Sequence, residues 1–282
     1  MKTSTTISTY LKRGFSFEEI AKILSTAGFE AADFPFHAEG FYKVNAREFK
    51  EMKDIFEQYG ISFNQTHAPY KTKVSKESEI DELVDKIIEC INFTHILGAK
   101  NIVVHPLHHL PYSENSERLF EMNMQFFQKF LPVAQEMRIN IALENLWQRD
   151  KSGKIIPSVC SSIKEYRRYL NSLNSENIGA CIDVGHAVLC NVDPVALIKE
   201  LKDKLCAIHV HENDGINDLH HLPFACGTVD WEAIMSSLKR IEYKGDITFE
   251  SVGYLDKHDD ILLPAATTIM FGFGEELKEK FI

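Results

Sequence analysis

Short apolar or β-branched runs alternate with longer stretches of helical periodicity from one end of the chain to the other. The runs at 5–9, 31–36, 61–65, 101–105, 140–144, 178–183, 206–210 and 246–250 read as strands. Between them, Ser16 followed by Glu19 reads as a capping box opening a helix, with Phe17, Ile20, Leu24 and Ala27 on one face and Gly28 as its stop. Ile80, Leu83, Val84, Ile87, Ile88 and Ile91 repeat the helical spacing before Gly98. A further helix is expected to begin near Asn115 or Ser116, to carry Leu119, Met122, Phe126, Phe130 and Met137, and to kink or divide at Pro132. Trp231, Ile234, Met235 and Leu238 mark a later amphipathic helix closed before Gly245.

Strand followed by helix, repeated in this way, predicts a TIM (β/α)8 barrel, because right-handed crossover helices cover the outer face of every strand. An open doubly wound sheet is the alternative. It loses ground because no G-x-G-x-x-G opens a helix after the first strand and no G-x-x-x-x-G-K-S/T occurs. No Pro/Gly/Ser-rich linker divides the chain, so residues 1–282 read as a single domain, and barrels of about 250 residues are common.

Composition adds limits. Hydrophobic residues at 44% and charged residues at 26% suit a globular fold with a sizeable core. With 41 acidic side chains against 31 Lys and Arg, the net charge of -10 gives no bulk attraction for nucleic acid or an anionic membrane. A metal-rich cleft that binds phosphate stays compatible with that charge. The cysteines at 90, 160, 181, 190, 206 and 226 form no CxxC pair and read as reduced, mostly buried thiols. Residues 1–13 lack the apolar core of a signal peptide, and no apolar run is long enough to cross a bilayer. A cytoplasmic location is therefore expected. Exposed barrel helices and long loops leave a homo-oligomer open.

The longer irregular stretches, at 67–76, 106–114, 145–160 and 212–230, all follow strands, where barrel enzymes build their sites. Glu144 ends the fifth strand, Asp183 the sixth and Glu250 the eighth, while the seventh runs into His209-Val-His211. A single carboxylate at a strand end caps a helix or pairs with a lysine. Three that converge on one barrel mouth repel unless a cation or a proton separates them. A divalent metal held by Glu144, Asp183, His211 and Glu250 meets that condition. His209 and His211 are expected on opposite sides of their strand, with His211 nearer the mouth as the ligand and His209 packed or hydrogen-bonding behind it. His186, three residues after Asp183, is placed to ligate metal, to bond a substrate hydroxyl or to cap. His67, His105, His186, Asp218 and His220 are candidates for a second or third metal. Tyr70 and His105 are candidate substrate contacts, and Trp147 has the shape to stack on a sugar face, with Arg149 or Lys151 steering an anionic substrate. Phe34 and Phe36 are read as pocket wall or barrel filling, with at least one in the core.

Glu144 in Ala-Leu-Glu-Asn, Asp183-Val-Gly-His186, His211-Glu-Asn-Asp214, Gly227-Thr-Val-Asp230-Trp231 and Phe-Glu250 occur in an order and spacing that resembles the xylose isomerase-like superfamily of TIM barrels. That superfamily includes sugar isomerases and epimerases, inositol-catabolism enzymes and endonuclease IV, and the resemblance covers almost the whole chain. It implies a metal centre of Glu144, Asp183, His211 and Glu250 holding Mn(II), Mg(II) or Co(II), with Glu144 and Glu250 moving protons and His186 touching a substrate oxygen. Such a centre would polarise a carbonyl and stabilise an enediolate while one glutamate removes a proton and the other returns it. The three-zinc pattern of endonuclease IV also maps fully, onto His67, His105, Glu144, Asp183, His186, His211, Asp218, His220 and Glu250, with Tyr70 following His67 at the family spacing.

Two departures weigh against the nuclease reading: Pro223-Phe-Ala-Cys-Gly227 stands where its Gly-Glu-Gly element belongs, and the segment 15–36 resembles the sugar enzymes. The stretch 212–227 also lacks the Arg that ketose 3-epimerases carry after the seventh-strand histidine. The expectation is a metal-dependent isomerase or epimerase of a small sugar or polyol-derived carbonyl compound. Multi-zinc hydrolysis of abasic DNA and a noncatalytic carbohydrate-binding barrel are the alternatives.

Overall fold

Eight parallel strands close on themselves in the computed structural model, which describes residues 1–36 and 45–281. They are β1 (Thr3–Thr6), β2 (Ala31–Pro35), β3 (Ser62–His67), β4 (Asn101–Val104), β5 (Asn140–Glu144), β8 (Ile178–Asp183), β9 (Leu205–Val210) and β10 (Ile247–Phe249), with β10 paired to β1. A two-stranded antiparallel hairpin, β6 (Trp147–Arg149) and β7 (Ile155–Pro157), projects from the end of β5. The expected TIM barrel is present, and its fifth and sixth strands fall where the pattern placed them.

The first strand lies earlier than expected, and Ser8–Lys12 forms a short helix, α1. Residues 3–9 are almost uniformly hydroxylated or β-branched, so their pattern has no end point, and pairing of Thr3 with Ile247 sets the register instead. Helix α2 (Phe17–Ala27) has the Ser16–Glu19 capping box and Gly28 in the left-handed region at φ 107°. Helix α3 (Ala46–Gln58) has a second such box, Asn45 with Glu48. After α4 (Ser78–Leu97), helix α5 (Tyr112–Met137) runs through Pro132, and its non-helical dihedrals are at Asn115. The expected break at Pro132 does not occur. The remaining helices are α6 (Ile163–Leu173), α7 (Val184–Leu189), α8 (Pro194–Leu201), α9 (Trp231–Arg240), α10 (Val252–Leu255) and α11 (Leu263–Phe281). Among the described residues no helix is long and apolar enough to cross a membrane.

Two cores result. The larger lies between sheet and helices, where Phe34 and Phe36 pack against Phe49 of α3, so neither lines the mouth. The smaller fills the bore with Val103, Ala142, Cys181 and Ala207. Inward positions two residues further along β4, β5, β8 and β9 are His105, Glu144, Asp183 and His209. A small apolar plug thus supports a polar layer at the C-terminal face.

Candidate metal centre

Glu144 sits at the middle of that layer, 1% exposed, with imidazoles on several sides. Its Oε2 lies 3.2 Å from His67 Nε2 and 3.0 Å from His105 Nε2, while Oε1 lies 3.3 Å from His186 Nδ1. Burial alone would raise the Glu144 pKa, but His105, His186 and His209 outweigh it and hold the carboxyl well below the usual range. Asp183 caps α7 by accepting the His186 N–H at 2.7 Å, and both its oxygens lie 2.9 Å from His211 Nε2. Burial opposes its ionisation too, yet His186 and His211 bring its pKa down to about 2.

The donor atoms fall into adjoining groups, each within 4.8 Å: His67, His105 and Glu144; Glu144, Asp183, His209 and Glu250; and His186, His211, Asp218 and His220. Every expected metal ligand is in one of them, and Tyr70 and Trp147 flank them. Tyr70 stacks on His105 with centroids 4.3 Å apart, and the Trp147 indole N–H donates to Asp218 at 3.1 Å. Arg149 lies over the Trp147 ring at 5.3 Å, whereas Lys151 is exposed beside Glu114. His67, His105, Glu144, His186, Asp218, His220 and Glu250 line one cavity of about 720 Å³ with Tyr70, Trp147, Arg149, Lys12, Lys73 and His108, while Asp183, His209 and His211 lie buried behind it.

One expectation needs correction. His209 and His211 do not face opposite sides of β9, because residues two apart share a strand face. Both enter the bore, and the imidazole grouped with the three carboxylates is His209, while His211 reaches them through Asp183 and joins the neighbouring group. Space for His211 comes from Gly185, where a Cβ would lie 2.0 Å from its Cε1.

Other supporting residues escaped the sequence pattern. Asn145 clamps β8 by accepting the Asp183 N–H at 2.8 Å and donating to the Asp183 carbonyl at 2.9 Å; its place beside Glu144 was the available clue. Buried Glu212 accepts the N–H groups of Thr228 and Val229, and Asn213 accepts those of Leu219 and His220, so the 212–230 loop is pinned from within. Asp33 lies under the layer with neither carboxyl oxygen hydrogen-bonded, and burial pushes its pKa up to about 7. Inside an apolar strand it gave no signal.

The donor set fits a divalent cation on two observations. Glu144 Oε1, Asp218 Oδ1 and Nδ1 of His105 and His211 are buried without hydrogen-bond partners, a state rarely tolerated in a core. Further, His67, His186 and His220 each place Nδ1 against a backbone carbonyl, those of Ala68, Asn145 and Glu250, at 2.9, 3.0 and 2.8 Å. A ring that donates from Nδ1 keeps its Nε2 lone pair, here directed at the carboxylates, which is the arrangement of metal-binding histidines. Oxygen and imidazole donors accommodate Mn(II), Co(II) or Zn(II), and the carboxylates alone Mg(II).

Comparison with known proteins agrees with this architecture. The chain is 29% identical over 164 residues to the protein y4fM of Sinorhizobium fredii, covering 57% of this chain and 50% of that one. It is 30% identical over 186 residues to the probable endonuclease 4 of Mycoplasma mobile, covering 63% of each. The chain thus spans only about half to two thirds of the length of these relatives. A solved structure of a D-tagatose 3-epimerase-like protein superposes with a TM-score of 0.77 at 22% identity, over 100% of both chains, which speaks for the fold. The family model described as xylose isomerase-like TIM barrel matches residues 21–264, and the chain belongs to that family.

Proposed function

We propose that the protein is a metal-dependent isomerase or epimerase of a small sugar or polyol-derived carbonyl compound. The observation that carries this reading is the pair Glu144 and Glu250, in one donor group with Asp183 and His209 at the floor of the cavity. A divalent cation there supplies Lewis-acid polarisation of a substrate carbonyl. The two glutamates differ in their surroundings. Glu144 has three imidazole nitrogens within 3.3 Å and a fourth at 3.8 Å and stays ionised, whereas Glu250 is 13% exposed toward the cavity and meets His220 and His209 Nδ1 only at 3.6 and 3.7 Å. Glu250 therefore has the freer oxygen to take a proton from bound substrate, and Glu144, being ionised, returns one only after receiving it from an imidazole beside it. His186 and Trp147 border the space between them, where a hydroxyl and a sugar face would lie. The likeness to a D-tagatose 3-epimerase-like structure supports the same reaction class.

The test is exchange of the substrate's carbon-bound proton with solvent, across a panel of ketoses and inosose-like compounds. Glu144→Gln and Glu250→Gln are each expected to lose it by about 10²–10⁴-fold with metal content measured in parallel. Normal exchange in either variant removes that glutamate from proton transfer.

A second reading is favoured by one observation, that the donors form several adjoining groups. Several cations side by side are the means by which phosphodiesters are hydrolysed, and similarity to a probable endonuclease 4 points the same way. One tightly held metal per chain and no nicking of an abasic duplex would eliminate it.

A further inference from the structure

His209 differs from the other rings of the centre in what its far nitrogen meets. Those of His67, His186 and His220 meet backbone carbonyls, but His209 Nε2 lies 2.9 Å from the amide nitrogen of Gln65. A carbonyl accepts a hydrogen bond; an amide N–H donates one.

Gln65 lies two residues before His67 in a regular stretch of β3 and shares its inward face, and Asn64 joins it there because β3 is irregular just before Gln65. Ala32 pairs with Phe63 and Asp33 with Gln65, so Asn64 is an extra residue in β3. A bulge of this kind re-aims side chains, and both Asn64 and Gln65 bond to groups in the bore. The result is a chain of hydrogen bonds with a single direction. The Ser4 hydroxyl donates to Asn64 Oδ1 at 2.8 Å, and Asn64 Nδ2 donates to Thr248 Oγ1 at 3.0 Å. The Thr248 hydroxyl donates to Gln65 Oε1 at 3.4 Å, and Gln65 Nε2 faces His209. Turning the Gln65 amide alone would aim two N–H donors at Thr248 Oγ1 and leave its own proton unplaced, so the direction reverses only if both amides turn. An imidazole that accepts at Nε2 carries its proton on Nδ1. That atom is buried, 3.7 Å from Asp183 Oδ2, 3.7 Å from Glu250 Oε2 and 3.8 Å from Glu144 Oε1, with no hydrogen-bond partner. Three carboxylate oxygens around one ring nitrogen attract an N–H and repel a lone pair.

We propose that Gln65 is a positioning residue that fixes His209 with its Nδ1–H toward Glu144, Asp183 and Glu250, so that His209 orients the metal-binding carboxylates as a donor and is not itself a ligand. This rests on the metal reading above. It assigns opposite roles to two histidines two residues apart, His209 behind the carboxylates and His211 at the metal.

Protein labelled with ¹⁵N-histidine, metal-free and saturated with zinc, tests it by two-bond ¹H–¹⁵N correlation, with His209 assigned from its absence in His209→Asn. The expected result is a protonated Nδ1 on His209 in both states. Gln65→Glu, which keeps the shape but accepts where glutamine donates, is expected to place a proton on Nε2, and Gln65→Leu to weaken zinc binding about 10–100-fold. A zinc-shifted, unprotonated Nδ1 overturns the donor role of His209. An unchanged His209 spectrum in Gln65→Glu, with zinc affinity unchanged in Gln65→Leu, overturns the role of Gln65. Failure of the wild-type protein to bind zinc, manganese, cobalt or magnesium counts against the proposed function instead, and the metal-free spectra still decide the state of His209.

Discussion

His67, His105 and Glu144 stand at the ends of adjacent strands and meet through sheet register alone, whereas Asp218 and His220 reach the same centre from a long loop. The two flanks present similar donors but are held by different means. On the strand flank, pairing of β3, β4 and β5 fixes the spacing, and one backbone carbonyl orients His67. On the loop flank, Glu212 and Asn213 bind the loop's N–H groups, Trp147 holds Asp218, and the Glu250 carbonyl holds His220. His220 itself has a φ of 45°, a left-handed conformation costly for a residue with a Cβ. A loop-borne donor therefore needs buried polar clamps, and those clamps are where the site can be loosened without touching a donor.

The largest effect is expected where the flanks are joined. His211 connects Asp183 to the loop group, packed between His220, at a ring separation of 4.0 Å, and Gly185. Gly185→Ala would put a methyl 2.0 Å from the ring, and the neighbour that must move is a buried imidazole. Activity is expected to fall by about 10²-fold or more, as for misplacement of a reacting group by about 1 Å. Metal analysis of the folded variant checks the cause: retention of all the wild-type metal would show that His211 does not hold it.

A smaller effect separates the flanks from one another. Asp218→Asn removes the carboxylate of the loop group and should weaken metal binding there while leaving His67, His105 and Glu144 intact; His67→Asn should do the reverse. Trp147→Phe keeps the ring and loses the N–H to Asp218, so it should reproduce the Asp218→Asn defect in milder form, about 10-fold in metal affinity. Titration with cobalt, followed by visible absorption, reads each flank. Identical losses in Asp218→Asn and His67→Asn would mean that the flanks act as one unit and that the contrast between them has no functional meaning.

The difference between the flanks also decides what the sequence could reveal. Glu144 and Asp183 were legible because an apolar run ending in a carboxylate marks a strand reaching the barrel mouth. Only the facing of His209 and His211 was misjudged from the same kind of run, through a misplaced alternation, although the period of two already puts both in the bore. Gln65 was overlooked although it lies two residues before His67 and so shares its inward face; that Asn64 also turns inward depends on one extra residue in β3 relative to β2, which nothing local marks. Glu212 and Asn213 were visible only as part of a motif. Their value as clamps depends on which N–H groups the loop brings back, which is a tertiary fact. The cores followed the same rule, since the periodic helices α2 and α4 were readable and the position of β1 depended on its distant partner, β10.

The smallest expected effect concerns the root of the hairpin that carries Trp147. Glu165, in the first turn of α6, accepts the N–H of Cys160 at 3.1 Å and so anchors the far end of the 145–160 loop. Burial raises its pKa from 4.5 to about 7, against the opposing pull of the Tyr112 hydroxyl and the Cys160 N–H. With the folded-state pKa above the unfolded one, the folded protein binds more protons between those values. This contribution to stability is complete below about pH 4.5 and declines as pH rises to about 7. Glu165→Gln resembles the protonated form and has no such decline. At equal metal loading it should therefore be more stable than the wild type at pH 8, by about 1–3 kcal/mol, and nearly equal to it at pH 4.5, as measured by denaturant unfolding. A difference that does not change with pH would mean that Glu165 is not the group that titrates.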